Sequence, residues 1–143
     1  MLELKRITEE NFHECLGLKS GIAREEFVDS VVYSLSEAWL YGEEFQPRVI
    51  YQADELIGFV SFYIKEGHYQ IINFLISENF QGQGVGKKAF WLCAEYLKAE
   101  YGATQISIPV HQEHVLAKKF WKNIGFQESD NIEDNYIFMR LSI

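Results

Sequence analysis

The sequence predicts an α/β sandwich built on a mixed sheet. Segments of strand-like alternation and segments of helical periodicity follow one another in the order strands, helix, strand, helix, strands. At Leu75 to Ala89, LISENFQGQGVGKKA, an apolar strand runs into a glycine-rich loop that opens a helix. With 143 residues and 48% hydrophobic content, the chain is expected to form a single domain, 1–143, with a real core.

Each element has its own signal. Leu2 to Arg6 alternates as a short strand, and Thr8 is expected to cap a helix through about Leu18, with Ile7 and Phe12 forming a hydrophobic staple. A second helix is expected over Arg24 to Tyr41, where Phe27, Val31, Leu35, Ala38 and Trp39 repeat at helical spacing. Its other face carries Glu25, Glu26, Asp29 and Glu37, followed by Glu43 and Glu44, which read as a solvated surface or as a cation-binding rim.

Pro47 is expected to close that region. Val49 to Ala53 and Leu56 to Ile64 then form a hairpin turning at Asp54-Glu55, and Tyr69 to Ile76 returns after Glu66-Gly67. The helix from Gly84 to Tyr101 has two apolar stripes. Val85, Ala89, Leu92, Cys93 and Tyr96 form one, and Phe90, Trp91, Ala94 and Leu97 the other, so it is expected to be sandwiched or to share an interface, as in a homodimer. Gly102 ends it as a left-handed cap. Gln105 to Val110 is a buried strand, Val115 to Ile124 a helix stopped by Gly125, and Phe126 to Ser129 with Asn135 to Leu141 a closing hairpin around Asp130-Asn131.

The loop reads as a phosphate cradle. Gly82, Gly84 and Gly86 let successive backbone N–H groups converge on one anion, and the helix behind them aims its positive end at the same place. Lys87 and Lys88 oppose the helix dipole unless an anion sits there. A Walker loop needs Gly-Lys-Ser/Thr, and here Ala89 follows the lysines. A dinucleotide fingerprint fits Gly84 to Ala89, but no strand-ending acid follows about 20 residues later.

Composition bounds the partners. A formal charge of −8 argues against nucleic acid and mildly favours a cationic substrate. Cys15 and Cys93 lie in apolar helical patterns and read as buried thiols, with no metal site expected. No secretory segment opens the chain and no apolar run reaches the roughly 18 residues of a membrane span, so the cytoplasm is the expected compartment.

The loop, Gln81-Gly82-Gln83-Gly84-Val85-Gly86, resembles the Gln/Arg-x-x-Gly-x-Gly/Ala motif of the GCN5-related N-acetyltransferase (GNAT) family, and the order of elements up to Gly125-Phe126 resembles that family over nearly the whole chain. The resemblance implies a GNAT-type acyl-CoA N-acyltransferase fold, with a central mixed, mostly antiparallel sheet and helices on both faces. It implies acetyl-CoA as cosubstrate, its pyrophosphate wrapped by Gln81 to Lys87. The pantetheine arm would pair with Phe74, Leu75 and Ile76 in a gap between two splayed parallel strands, and a bulge N–H there would face the thioester oxygen. His114, Phe120 and Trp121 fall at further cofactor-contacting positions. The segments Val31 to Ala38 and Tyr51 to Phe59 look like those of bacterial spermine/spermidine acetyltransferases, which implies a small-molecule amine as acceptor.

Acetyl transfer to an amine needs a base, because an aliphatic amine of pKa near 10 is neutral in only about one molecule per thousand at pH 7. Polyamine acetyltransferases commonly place a carboxylate where this chain has Ile72, and Trp121 stands where the family usually has a proton-donating tyrosine. An indole N–H donates a hydrogen bond but is no proton-transfer acid. His111 and His114 are the substitute proton carriers, with Tyr33, Tyr136 and Glu37 as further candidates. Two functions stay open: an N-acetyltransferase in which water relays the proton, and a catalytically weak acetyl-CoA-binding module.

Overall fold

The alternating segments assemble into a seven-stranded sheet of order β1-β2-β3-β4-β5-β7-β6 in the computed structural model, which describes residues 1–21 and 29–143. The strands are β1 (Leu2–Lys5), β2 (Phe45–Gln52), β3 (Glu55–Lys65), β4 (His68–Ile76), β5 (Gln105–His111), β6 (Gln127–Glu133) and β7 (Tyr136–Ser142). The helices are α1 (Phe12–Leu16), α2 (Val31–Tyr41), α3 (Val85–Tyr101) and α4 (Val115–Ile124). Among the described residues every neighbouring strand pair is antiparallel except β4 with β5, which is parallel.

Helices cover both faces because each face of the sheet carries its own apolar set. On one face Ala89, Phe90, Cys93 and Leu97 of α3 pack against Val60, Phe62, Ile71, Ile106 and Met139. On the other, Cys15 of α1 and Val31 of α2 close over Val49, Leu56 and Phe59. A fully buried Phe or Leu side chain contributes about 1.5–3 kcal/mol of transfer free energy, so burial, more than propensity, holds these helices in place. The two apolar stripes of α3 merge into one broad buried face, while Trp91 is 42% exposed. Burial pushes the Cys15 thiol up to about 11 and raises that of Cys93 as well; both are free and buried. Among the described residues no helix is long and apolar enough to cross a membrane.

Several boundaries differ from expectation, each for a local reason. The first helix starts at Phe12, not after Thr8; a turn over residues 8–11 precedes it, in which the Asn11 side-chain oxygen accepts the Thr8 N–H at 2.8 Å and the Thr8 carbonyl accepts the Phe12 N–H at 3.0 Å. No staple forms, and Phe12 is partly exposed with its ring edge on His13. The second helix begins at Val31, capped by Ser30 Oγ accepting from Tyr33 N–H at 3.1 Å; the expected turns around Arg24, Glu25, Glu26 and Phe27 lie outside the described residues. Pro47 sits inside β2, opposite Ser61, where β1 no longer runs alongside and no ladder donor is missed. The last hairpin turns at Asp134-Asn135, both at positive φ, rather than at Asp130-Asn131.

The irregularity that matters most lies in the middle of the sheet. β4 and β5 register at Gln70 with Ser107, and beyond that pair residues 71–76 and 108–111 line a cleft instead of bonding one another. On its other side β4 carries an extra residue, Ile72, between the pairs Asn73 with Ser61 and Ile71 with Phe62. The resemblance put the bulge at Phe74 to Ile76, whereas it falls upstream, at Ile72, and it bends β4 away from β5 at the point of separation.

Candidate active site

The separation of β4 from β5 opens a cleft of about 850 Å³ that runs from the glycine loop, past the unpaired edge of β4, to the far side of the sheet under α2. Phe74, Leu75 and Ile76 form one wall and Ile108 to His111 the other. An open strand edge presents unpaired backbone donors and acceptors, which an extended ligand carrying amides can satisfy as another strand would.

At one end the loop is shaped for an anion. Gly84 is the N-cap of α3 at φ +77°, a left-handed conformation that favours glycine, and no side chain caps the helix. A Cβ built on Gly84 would meet nothing within 4 Å, so the space in front of the helix N-terminus is open. At Gly86 a Cβ would come within 3.1 Å of the Phe120 ring, which shows how closely α4 closes over the loop. These features fit the diphosphate of a coenzyme: free N–H donors, no side chain in the way and Lys87 on the rim.

The residues of the motif divide their tasks. Gly82, Gly84, Gly86 and Lys87 line the cleft; Val85 points into the core and Gln83 is exposed without lining the cleft. The Gln81 side chain turns inward, where Nε2 donates to the Ser20 carbonyl at 2.8 Å and to the Ile76 carbonyl at 2.7 Å. It braces the loop against the end of β4 and against the segment after α1.

In the middle of the cleft Trp121 is 5% exposed, edge-on to Phe74, Phe90, Phe120 and Phe126 at ring distances of 4.7–5.6 Å. An indole packed in an aromatic cluster thus stands where the motif has a phenol. His114, also buried, is the N-cap residue of α4, and its carbonyl accepts the Lys118 N–H. His111 Nδ1 accepts the Glu113 N–H at 3.1 Å, and its ring meets the edge of Tyr136 at 5.2 Å. All four of these side chains, His111, His114, Trp121 and Tyr136, line the cleft.

The other end is acidic and aromatic. Asp29, Glu37, Glu133 and Asp134 line it together with Phe45 and Tyr63, whose rings lie 5.1 Å apart. Protein packed beside the carboxyl of Asp29 raises its pKa above the ordinary carboxylate value. Glu37 is raised too, by burial first and by the negative charge of Asp29 second. The Tyr136 phenol is held up by burial and by Asp29, and that of Tyr33 chiefly by Glu37 and Asp29. Of the sequence-predicted acids Glu37 reaches the cleft; Glu43 and Glu44 do not line it, and Glu44 lies 3.8 Å from Lys65. Asp29 was legible only as one acid among several. Its place follows from Asn73 Nδ2, which donates to the Asp29 carbonyl at 3.0 Å and to Ser34 Oγ at 2.9 Å and so ties the start of α2 to β4 beside the bulge.

A sheet opened between two parallel strands, with an anion cradle at one end and carboxylates at the other, defines an acyltransferase that brings an anionic acyl carrier to a nucleophile. The model of the acetyltransferase (GNAT) family matches residues 7–126, and the chain belongs to this family of N-acetyltransferases, which use acetyl-CoA as the acetyl donor. It is similar to the spermine/spermidine N(1)-acetyltransferase of Bacillus subtilis (strain 168), 22% identical over 142 residues that cover 94% of this chain and 93% of the relative. Among solved structures it is similar to the spermidine N-acetyltransferase of Vibrio cholerae in complex with CoA and spermine, at TM-score 0.74 and 16% identity over 99% and 94% of the two chains. An aminoglycoside acetyltransferase in complex with coenzyme A is similar at TM-score 0.80 and 16% identity over 99% and 95%.

Proposed function

We propose that this chain moves the acetyl group of acetyl-CoA to a primary amine of a small polycationic molecule of the polyamine class, such as spermidine or spermine. The observation that carries the reading is the pair Asp29 and Glu37 in the cleft, across from the cradle. Burial raises both carboxyls, and the negative charge of Asp29 raises Glu37 further; a cation placed between or beside them relieves that cost, and an ammonium group supplies it. Phe45 and Tyr63 add ring faces on which a second ammonium can rest. The names of the relatives in Bacillus subtilis and Vibrio cholerae support the same acceptor class.

In the reaction the neutral amine nitrogen attacks the thioester carbonyl carbon, the C–S bond breaks, CoA leaves as thiolate, and the nitrogen gives up a proton. Glu37, with Asp29 behind it, is the base that takes protons from the incoming ammonium through water; its raised pKa makes it a better acceptor than an exposed carboxylate. This places the charge on α2 rather than on β4, where Ile72 stands. A thiolate of pKa about 8.5 leaves without obligatory protonation. His111, His114 and Tyr136 line the cleft and are the groups assigned to return a proton to it. Gln81 to Lys87 hold the diphosphate and the open edge of β4 at Phe74 to Ile76 takes the pantetheine arm, within one domain spanning 1–143.

Isotope-labelled acetyl transfer to a panel of amines tests the proposal. Turnover of spermidine well above that of a neutral-tailed monoamine supports it. CoA binding with no transfer to any amine would favour the catalytically weak binding module instead.

A further inference from the structure

The hydroxyl of Ser20 is 3% exposed at the residue level, lines the cleft, and has no hydrogen-bond partner among the described residues. A buried hydroxyl left unpaired costs about 1–3 kcal/mol, so its presence in a cleft that binds a ligand calls for a partner on the ligand. Its location is set by Gln81, whose amide nitrogen grips both the Ser20 carbonyl and the carbonyl of Ile76, the last residue of β4. A second tie runs beside it, from the Glu78 N–H to the Lys19 carbonyl at 2.9 Å. Ser20 is therefore pinned at the end of the open strand edge, upstream of the glycine loop.

We propose that Ser20 is a cofactor-binding residue whose hydroxyl hydrogen-bonds an amide of the pantetheine arm; the inference rests on the acetyl-CoA reading of the cleft. With the diphosphate on the loop N–H groups, the arm runs back along β4 past Ile76, and its amides offer both a carbonyl to accept from Ser20 and an N–H to donate to it. The loop already supplies donors to the phosphates. The hydroxyl answers a group the loop cannot reach.

Ser20→Ala tests this with calorimetry on the full chain, using CoA and adenosine 3′,5′-bisphosphate as separate ligands, and with thermal unfolding of the ligand-free protein. The expected result is a Kd for CoA raised about three- to tenfold, a Kd for the bisphosphate changed less than about twofold, since it lacks the arm, and a free-protein Tm unchanged or higher, since no protein hydrogen bond is lost. Equal CoA affinity in the two proteins would overturn the assignment while leaving the cofactor reading intact. Equal weakening of both ligands would move the hydroxyl to the phosphates and overturn it too, as would a fall in free-protein Tm that tracks the loss of affinity. Failure of the unsubstituted protein to bind CoA at all would remove the cofactor reading and this inference with it.

Discussion

Asn73 Nδ2 donates to the Asp29 backbone carbonyl at 3.0 Å, joining the bulged part of β4 to the start of α2. The same nitrogen reaches Ser34 Oγ, so one buried amide holds the helix that carries Glu37 in place over the cleft. A side chain that bears no charge itself therefore ties the segment carrying Asp29 and Glu37 to the open strand β4.

If this is so, Asn73→Ala should act on the acceptor and not on the cofactor. One buried and one partly buried hydrogen bond disappear and their acceptors lose a donor, a cost of about 1–3 kcal/mol in stability. The KM for spermidine should rise severalfold while the calorimetric Kd for CoA stays within about twofold. A CoA affinity that falls as far as the amine KM rises would show that Asn73 supports the whole cleft.

Glu37→Gln should separate charge recognition from general damage. The substitution keeps the shape of the side chain and removes its charge, so kcat should fall for every amine as the base is lost, while kcat/KM for spermidine should drop about tenfold further than that for a monoamine with a neutral tail. Asp29→Asn should do the same to a smaller degree. Equal losses on both substrates would mean that Glu37 is not reading the second charge.

The same variant has a pH signature in the ligand-free protein. The Glu37 carboxyl is raised in the folded state above its unfolded value of about 4.3. The folded protein therefore holds an extra proton in the window above pH 4, and stability falls as pH rises through the folded pKa. Glu37→Gln removes that loss: its Tm should exceed that of the unsubstituted protein at pH 7 and the difference should vanish near pH 4. A constant offset across the range would assign the gain to something other than ionisation.

Local rules made much of the molecule legible. The helix from Val115 to Ile124 and its stop at Gly125 were read to the residue, because periodicity and a left-handed glycine both lie inside one short segment. The backbone of the glycine loop was legible for the same reason: Gly82 and Gly84 take the positive φ that glycine favours. Thr8 misled because a turn over residues 8–11 comes before the helix, whose N-cap is Asn11. Asp29 and Ser20 could not be found in this way. Each is brought to the cleft by an amide far along the chain, Asn73 and Gln81, and no local pattern marks such a pairing.

Trp121 tests whether the usual phenol position still faces the sulfur. Set edge-on to four phenylalanines, it can be shortened to Phe at the cost of a cavity, and Trp121→Phe should lower Tm yet leave both limbs of the pH profile of turnover where they were. Trp121→Tyr should raise kcat, because a phenol placed there can give its proton to the departing thiolate. A lost basic limb in Trp121→Phe would show that the indole orders a proton path after all.

Gly84→Val tests the cradle. A Cβ at this position meets nothing within 4 Å in the protein itself, so the new side chain projects into the space assigned to the diphosphate, and its φ of +77° adds backbone strain. The two effects part in two measurements. Strain appears as a lower Tm of the ligand-free protein, whereas obstruction appears as a Kd for CoA raised at least tenfold, about 1.4 kcal/mol. Gly84→Ala calibrates the strain, since it shares the backbone cost with one methyl in place of a branched chain. If the valine variant loses stability but binds CoA as tightly as the alanine variant and the unsubstituted protein, the anion does not lie over Gly84 and the cradle must be sought elsewhere along the cleft.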